Sequence, residues 1–348
     1  MKISRVRIFE KHLPLRKPYP LSFTTVESFR SCLISVETDT HGRGAGEATA
    51  LPGYSAETHE DIFLALKRAA AVLPSLGSDQ AECVVNKMFD ELPFAASALG
   101  TALDFAFGRV SVPEKFSIPL LTPLSPYVAP AELEKQLETA FSGGYKTIKV
   151  KVGRHIGQDI SSLAILSGAP PEIIYRFDAN QGYSFKNAAL FIEKLAEIKG
   201  PRVEFLEQPF APDNWGQMEE LCRMSPIPLM LDESIFNEAD IRRAASIGTE
   251  FVKLKLCKTR GVKDLLAKAE LAHCLGLKVV LGNGVATDIT NLIEAVAMAG
   301  YPDFFYGAFE GNGFAKTEEA LLGHPLQIKS GRVIWWKKEP LFPDTFFR

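Results

Sequence analysis

The sequence predicts an α/β molecule: a modified (β/α)8 TIM-type barrel over 116–325, with an N-terminal α+β capping domain over 1–115 completed by 326–348. Three observations predict it. A chain of 348 residues suits one large or two ordinary domains. From residue 117 onward a short β-rich run, a polar end and an amphipathic helix recur over about 200 residues, the rhythm of a closed parallel barrel. No Gly-x-Gly-x-x-Gly follows any strand, which disfavours an open doubly wound sheet.

The elements follow in order. Alternating runs at 3–9 and 32–37 read as antiparallel strands separated by a loop at 14–27. Gly42-x-Gly44-x-Gly46 reads as a turn, and helices begin near residue 55. The barrel strands are expected at 116–121, 147–152, 172–177, 202–206, 228–231, 250–256, 277–281 and 304–309. Helical patterns between them include 131–141, 185–198, 239–247, 262–275 and 289–299. Leu265, Leu266, Ala269 and Ala272, for example, share one helix face. In the tail, 333–336 is strand-like and is expected to return to the cap.

Composition narrows the function. Hydrophobic residues at 46% and charged residues at 23% exclude a disordered chain. A net charge of −3 offers no basic excess for a nucleic-acid backbone. Apolar stretches such as 69–73 are too short for a membrane span. The first residues alternate like a strand and carry no signal-peptide core, so a cytoplasmic protein is expected. Cys32, Cys83, Cys222, Cys257 and Cys274 have no Cys-x-x-Cys spacing and read as buried reduced thiols. The six histidines, among them His59, show no metal-ligand spacing.

The C-terminal strand ends of a parallel barrel form its active face. Strand two ends Lys149-Val150-Lys151, and the 2.0-residue period puts both lysines on one face while Ile148, Val150 and Val152 take the other. Packing of those apolar residues under the helices places the lysines inside, where they need anions. Asp178, Glu207 and Asp232 end strands three, four and five, 29 and 25 residues apart, each close to one β/α unit. Three convergent carboxylates repel one another, and one Mg²⁺ per chain is the expected remedy, with Mn²⁺ as a substitute. Lys253-Leu254-Lys255 on strand six puts a second lysine pair across the barrel. Such a set suits removal of the proton α to a substrate carboxylate, with positive charge stabilising the enediolate and a lysine acting as base. Lys253 is expected to pair with Glu233.

These residues resemble the enolase superfamily, within it the muconate cycloisomerase subgroup. Gly44-Ala45-Gly46-Glu47-Ala48 and Leu51-Pro52-Gly53-Tyr54-Ser55 extend the likeness into the cap. The resemblance implies Asp178, Glu207 and Asp232 as metal ligands. It implies Lys151 and Lys255 as acid/bases on opposite faces of the substrate carbon, with Lys149 as electrostatic neighbour. Asn180 and Glu233 would support them. A Lys or His base with Mg²⁺ is general to such sites.

The resemblance disfavours the mandelate racemase subgroup, which would place a histidine where this chain has Leu281-Gly282-Asn283-Gly284. It points to a racemase or epimerase, including dipeptide epimerase, or a cycloisomerase. A lyase such as o-succinylbenzoate synthase is the alternative, and a barrel that binds metal or ligand without turnover is the alternative of another class. Phe23, Tyr54, Asn283 and Glu310 are expected to line the pocket for a small-molecule carboxylate. Glu310 stands where dipeptide epimerases carry Asp-x-Asp, suggesting one ammonium contact and a hydrophobic dipeptide. No nucleic-acid or membrane partner is expected, and a homo-oligomer is compatible with the sequence.

Overall fold

A computed structural model describes residues 1–20, 25–50, 56–282, 284–311, 313–322, 326–336 and 340–348. The N-terminal sheet has the order β1-β2-β3, antiparallel, from β1 (Ile3–Pro20), β2 (Thr25–Thr38) and β3 (Arg43–Thr49). The strands reach into the stretch expected to be loop. A register shift between Pro14 and Tyr19 lets the pairing resume at Tyr19↔Val26, because an irregularity tolerates proline where a regular ladder does not. Helices α1 (His59–Val72), α2 (Ser78–Phe89) and α3 (Pro93–Ala106) cover this sheet.

The glycine motif is not a turn but a packing surface. Cβ atoms built on Gly42, Gly44 and Gly46 would overlap the carbonyls of Ala106, Ala102 and Ala98. Two strand residues advance about 6.6 Å and four helix residues about 6.0 Å, so glycines two residues apart meet alanines four residues apart. This registers β3 on α3 backbone to backbone.

The second unit begins with β4 (Lys115–Pro119), followed by β5 (Thr122–Leu124), α4 (Pro130–Ser142), β6 (Thr147–Lys151), α5 (Ile156–Leu166), β7 (Ile174–Asp178) and α6 (Phe185–Ala196). It continues with β8 (Arg202–Glu207), α7 (Trp215–Met224), β9 (Leu229–Leu231), α8 (Glu238–Ser246), β10 (Phe251–Leu254), α9 (Val262–Cys274), β11 (Lys278–Leu281) and α10 (Asp288–Gly300). Strands β5 to β11 form one parallel sheet in chain order. Residues 304–309, expected as strand eight, form no regular ladder. They still bridge the two sides: Tyr306 N donates to Val279 O of β11 at 2.7 Å, and Phe309 O accepts from Leu121 N, just before β5, at 3.1 Å. That contact, with the parallel bridge Leu120↔Phe309, curls the sheet closed.

The first barrel strand is β5, not 116–121. Residues 115–119 instead pair antiparallel with β13 (Arg332–Trp336), which also pairs with β12 (Gln327–Lys329). The tail strand thus joins β4 rather than the cap sheet. The last residues reach the cap, where Ser35 Oγ donates to Phe346 O at 2.6 Å. Among the described residues, no helix is long and apolar enough to cross a membrane.

Inside the barrel, Phe205, Met230, Phe251 and Val280 form an apolar plug on alternate residues of β8 to β11. The charged layers stand above it. Ile148, Val150 and Val152 face outward into the main core, as the strand period requires.

Candidate active site

The register sets the layers. Lys151 pairs with Asp178 and Asp178 with Glu207 across β6, β7 and β8, while Asp232 follows the end of β9. All three carboxylates are buried. Lys151 Nζ lies 2.6 Å from Asp178 Oδ2 and donates to Asn180 Oδ1 at 2.7 Å. Lys149 Nζ, one layer lower, reaches Asp178 and Glu207 at 2.8 Å and Glu310 at 3.1 Å. Across the barrel, Lys255 Nζ lies 2.7 Å from Asp232 Oδ2. The side chain of Lys151 is 40% exposed and that of Lys149 10%, so Lys151 is the one open to a ligand.

Burial and charge oppose each other here. Burial works against the Lys149 ammonium, but Asp178, Glu207 and Glu310 hold its pKa well above the ordinary lysine range. Burial likewise raises Asp232, yet Lys255, Lys258 and Lys253 hold it well below the usual carboxylate range. For Asp178 the lysine charges, led by Lys149, also outweigh burial and lower it. Glu207 goes the other way: burial, with the Asp178 charge beside it, pushes its carboxyl up to about 7.

Lys253 does not pair with Glu233. Its position on β10 turns it into the barrel, 2.5 Å from Glu207 Oε1 and 2.8 Å from Glu310 Oε2. Glu233 Oε1 instead accepts from Asn180 Nδ2 at 3.4 Å, while its buried Oε2 has no partner. Glu310 is also held by Arg176 at 3.3 Å. Phe23, Tyr54 and Asn283 lie outside the described residues.

Sequence reasoning passed over three residues. Arg176, fully buried, precedes Asp178 by two on the same strand face and binds Glu204 at 2.6 Å. The same two-residue period that marks Lys149 and Lys151 was the available signal. Lys258, one turn past Lys255, reaches Asp232 Oδ1 at 3.2 Å. Gln208 ties two strand ends together: its Oε1 accepts from Asp232 N at 2.9 Å and its Nε2 donates to Ser234 Oγ at 2.9 Å. Gln208 (φ 37°), like Asn180 (φ 40°), is held in the left-handed region. Such strain beside the carboxylates is typical of a site whose surroundings over-determine it.

Three hard carboxylates on consecutive strand ends, buried and oriented by lysines, fit a divalent ion of the Mg²⁺ type. A second cluster lies in the cap. His59 Nε2 is 2.6 Å from Glu10 and His59 Nδ1 is 3.6 Å from Cys32 Sγ, so one histidine does have metal-ligating neighbours. Burial pushes the Cys32 thiol up to about 12, which favours a neutral thiol there over a thiolate ligand. The cysteines are free, but Cys83 and Cys274 are exposed rather than buried, being on outer helix faces.

The model for the family described as Enolase C-terminal domain-like matches residues 132–339. The N-succinyl-L-Arg/Lys racemase of Bacillus cereus is 25% identical over 308 residues, covering 84% of this chain and 82% of its own. The hydrophobic dipeptide epimerase of Enterococcus faecalis is 24% identical, covering 81% and 82%. A solved structure of a dipeptide epimerase from Enterococcus faecalis with Mg and L-Leu-L-Tyr matches at a TM-score of 0.85 and 20% identity, covering 96% of this chain and 97% of that one. The 2-chloromuconate cycloisomerase of Rhodococcus opacus matches at 0.84 and 21%, covering 96% and 94%.

Proposed function

Because the chain belongs to the enolase superfamily through its Enolase C-terminal domain-like segment, we propose that it is a Mg²⁺-dependent racemase or epimerase. It exchanges the proton on the carbon next to a substrate carboxylate. The observation that carries this reading is the pair Lys151 and Lys255, contacting Asp178 and Asp232 from strands four positions apart in the barrel. Two bases on two faces of one carbon are what inversion needs, since one removes the proton and the other returns it.

Asp178, Glu207 and Asp232 would hold the ion. There it supplies positive charge to the substrate carboxylate as the α-carbon loses its proton. Lys149 adds a fixed positive charge beneath Asp178 and Glu207. Asn180 orients Lys151 through its amide oxygen, and Gln208 aligns Asp232 through that residue's backbone N–H.

Polarimetry on N-acyl amino acids and dipeptides tests the proposal. A change in optical rotation that stops with EDTA and returns with Mg²⁺ is expected. Tight binding of these compounds with unchanged rotation would instead mark a binding protein.

A further inference from the structure

We propose that Lys253 and Glu310 form a built-in ion pair that closes one corner of the site to a substrate ammonium, so that this chain takes N-acyl amino acids whose acyl group carries no amine. The inference rests on the proton-transfer reading and narrows its substrate class.

A carboxylate receives a substrate ammonium best when built-in cations leave its charge uncompensated. Three built-in cations engage the two oxygens of Glu310. Its Oε2 lies 2.8 Å from Lys253 Nζ and 3.1 Å from Lys149 Nζ, and its Oε1 lies 3.3 Å from an Arg176 nitrogen. Glu310 is 7% exposed and Lys253 1%. The three cations are seated, not incidental. A Cβ on Gly282, at the end of β11, would lie 2.5 Å from Lys253 Cδ. A Cβ on Gly307 would overlap the Arg176 guanidinium. Two glycines thus leave room for the side chains that occupy Glu310.

An ammonium brought to this corner meets three positive groups and loses its water without a partner, whereas a hydrogen in its place meets neither penalty. Glu233 has an oxygen with no partner among the described residues, and it sits just past β9, where its other oxygen accepts from Asn180.

N-propionyl-L-phenylalanine and L-alanyl-L-phenylalanine differ at this point only by the ammonium. Exchange of the phenylalanine α-proton in D₂O with Mg²⁺, followed by NMR, should favour the propionyl compound by about tenfold or more in kcat/KM. Lys253→Met keeps the stem and removes the charge, and Lys253→Asn removes both. Either folded variant should narrow the ratio by gaining dipeptide exchange. Equal or faster exchange of the dipeptide by the native chain overturns the inference, as does an unchanged ratio in both variants. Dipeptide exchange that Glu233→Gln abolishes also overturns it, because the ammonium would then have a different seat. Exchange of neither compound overturns the proton-transfer reading and this inference with it.

Discussion

Glu294 shows how burial can set a residue's behaviour. It lies inside α10, fully buried, with Asn291 Nδ2 at 3.2 Å from Oε2 and no partner for Oε1. Burial raises its carboxyl well above the ordinary range, and the Glu47 charge adds to this. The folded chain therefore keeps a proton that the unfolded chain releases near pH 4.5, so this residue's contribution to stability falls as pH rises above that value. Glu294→Gln removes the dependence. In thermal unfolding the variant should match the native protein near pH 4 and exceed it increasingly toward pH 8; parallel curves would refute this. Single residues were unevenly legible in the sequence. The carboxylates and lysines announced themselves by strand period and spacing. The partner of Lys253 did not, because side chains of distant strands meet only once the barrel has closed.

At the scale of elements, the cap and barrel are tied by β3 to the first turn of α10. Glu47 accepts from Thr287 N at 3.1 Å, Thr287 Oγ1 at 2.9 Å, Thr290 N at 3.2 Å and Thr290 Oγ1 at 2.8 Å. A carboxylate at a helix N-terminus also meets the positive end of the helix dipole. Glu47→Ala should cost about 2–3 kcal/mol in denaturant unfolding, the range for a charge-assisted network of this kind. Gly46→Val should cost more, since its Cβ would overlap the Ala98 backbone, where nothing flexible can yield. Strands were legible as strands, yet their partners were not. The run at 116–121 has the right alternation, but the tail strand β13 claims its first half and leaves 122–124 to begin the barrel. Alternation reports a pleated surface with one buried face and says nothing about which strand lies beside it.

At the scale of the whole molecule, the barrel stacks an apolar plug, a layer of paired internal charges, and a buried layer of carboxylates flanked by Lys151 and Lys255. In the proposed reaction these two lysines serve opposite faces of one carbon. Deuterium uptake by each enantiomer of an N-acyl amino acid, in Mg²⁺-loaded Lys151→Ala and Lys255→Ala, tests it most directly. Each variant should lose exchange from one enantiomer and retain measurable exchange from the other, with the lost enantiomer reversed between the two variants. Loss of both exchanges to the same degree in both variants would contradict the claim.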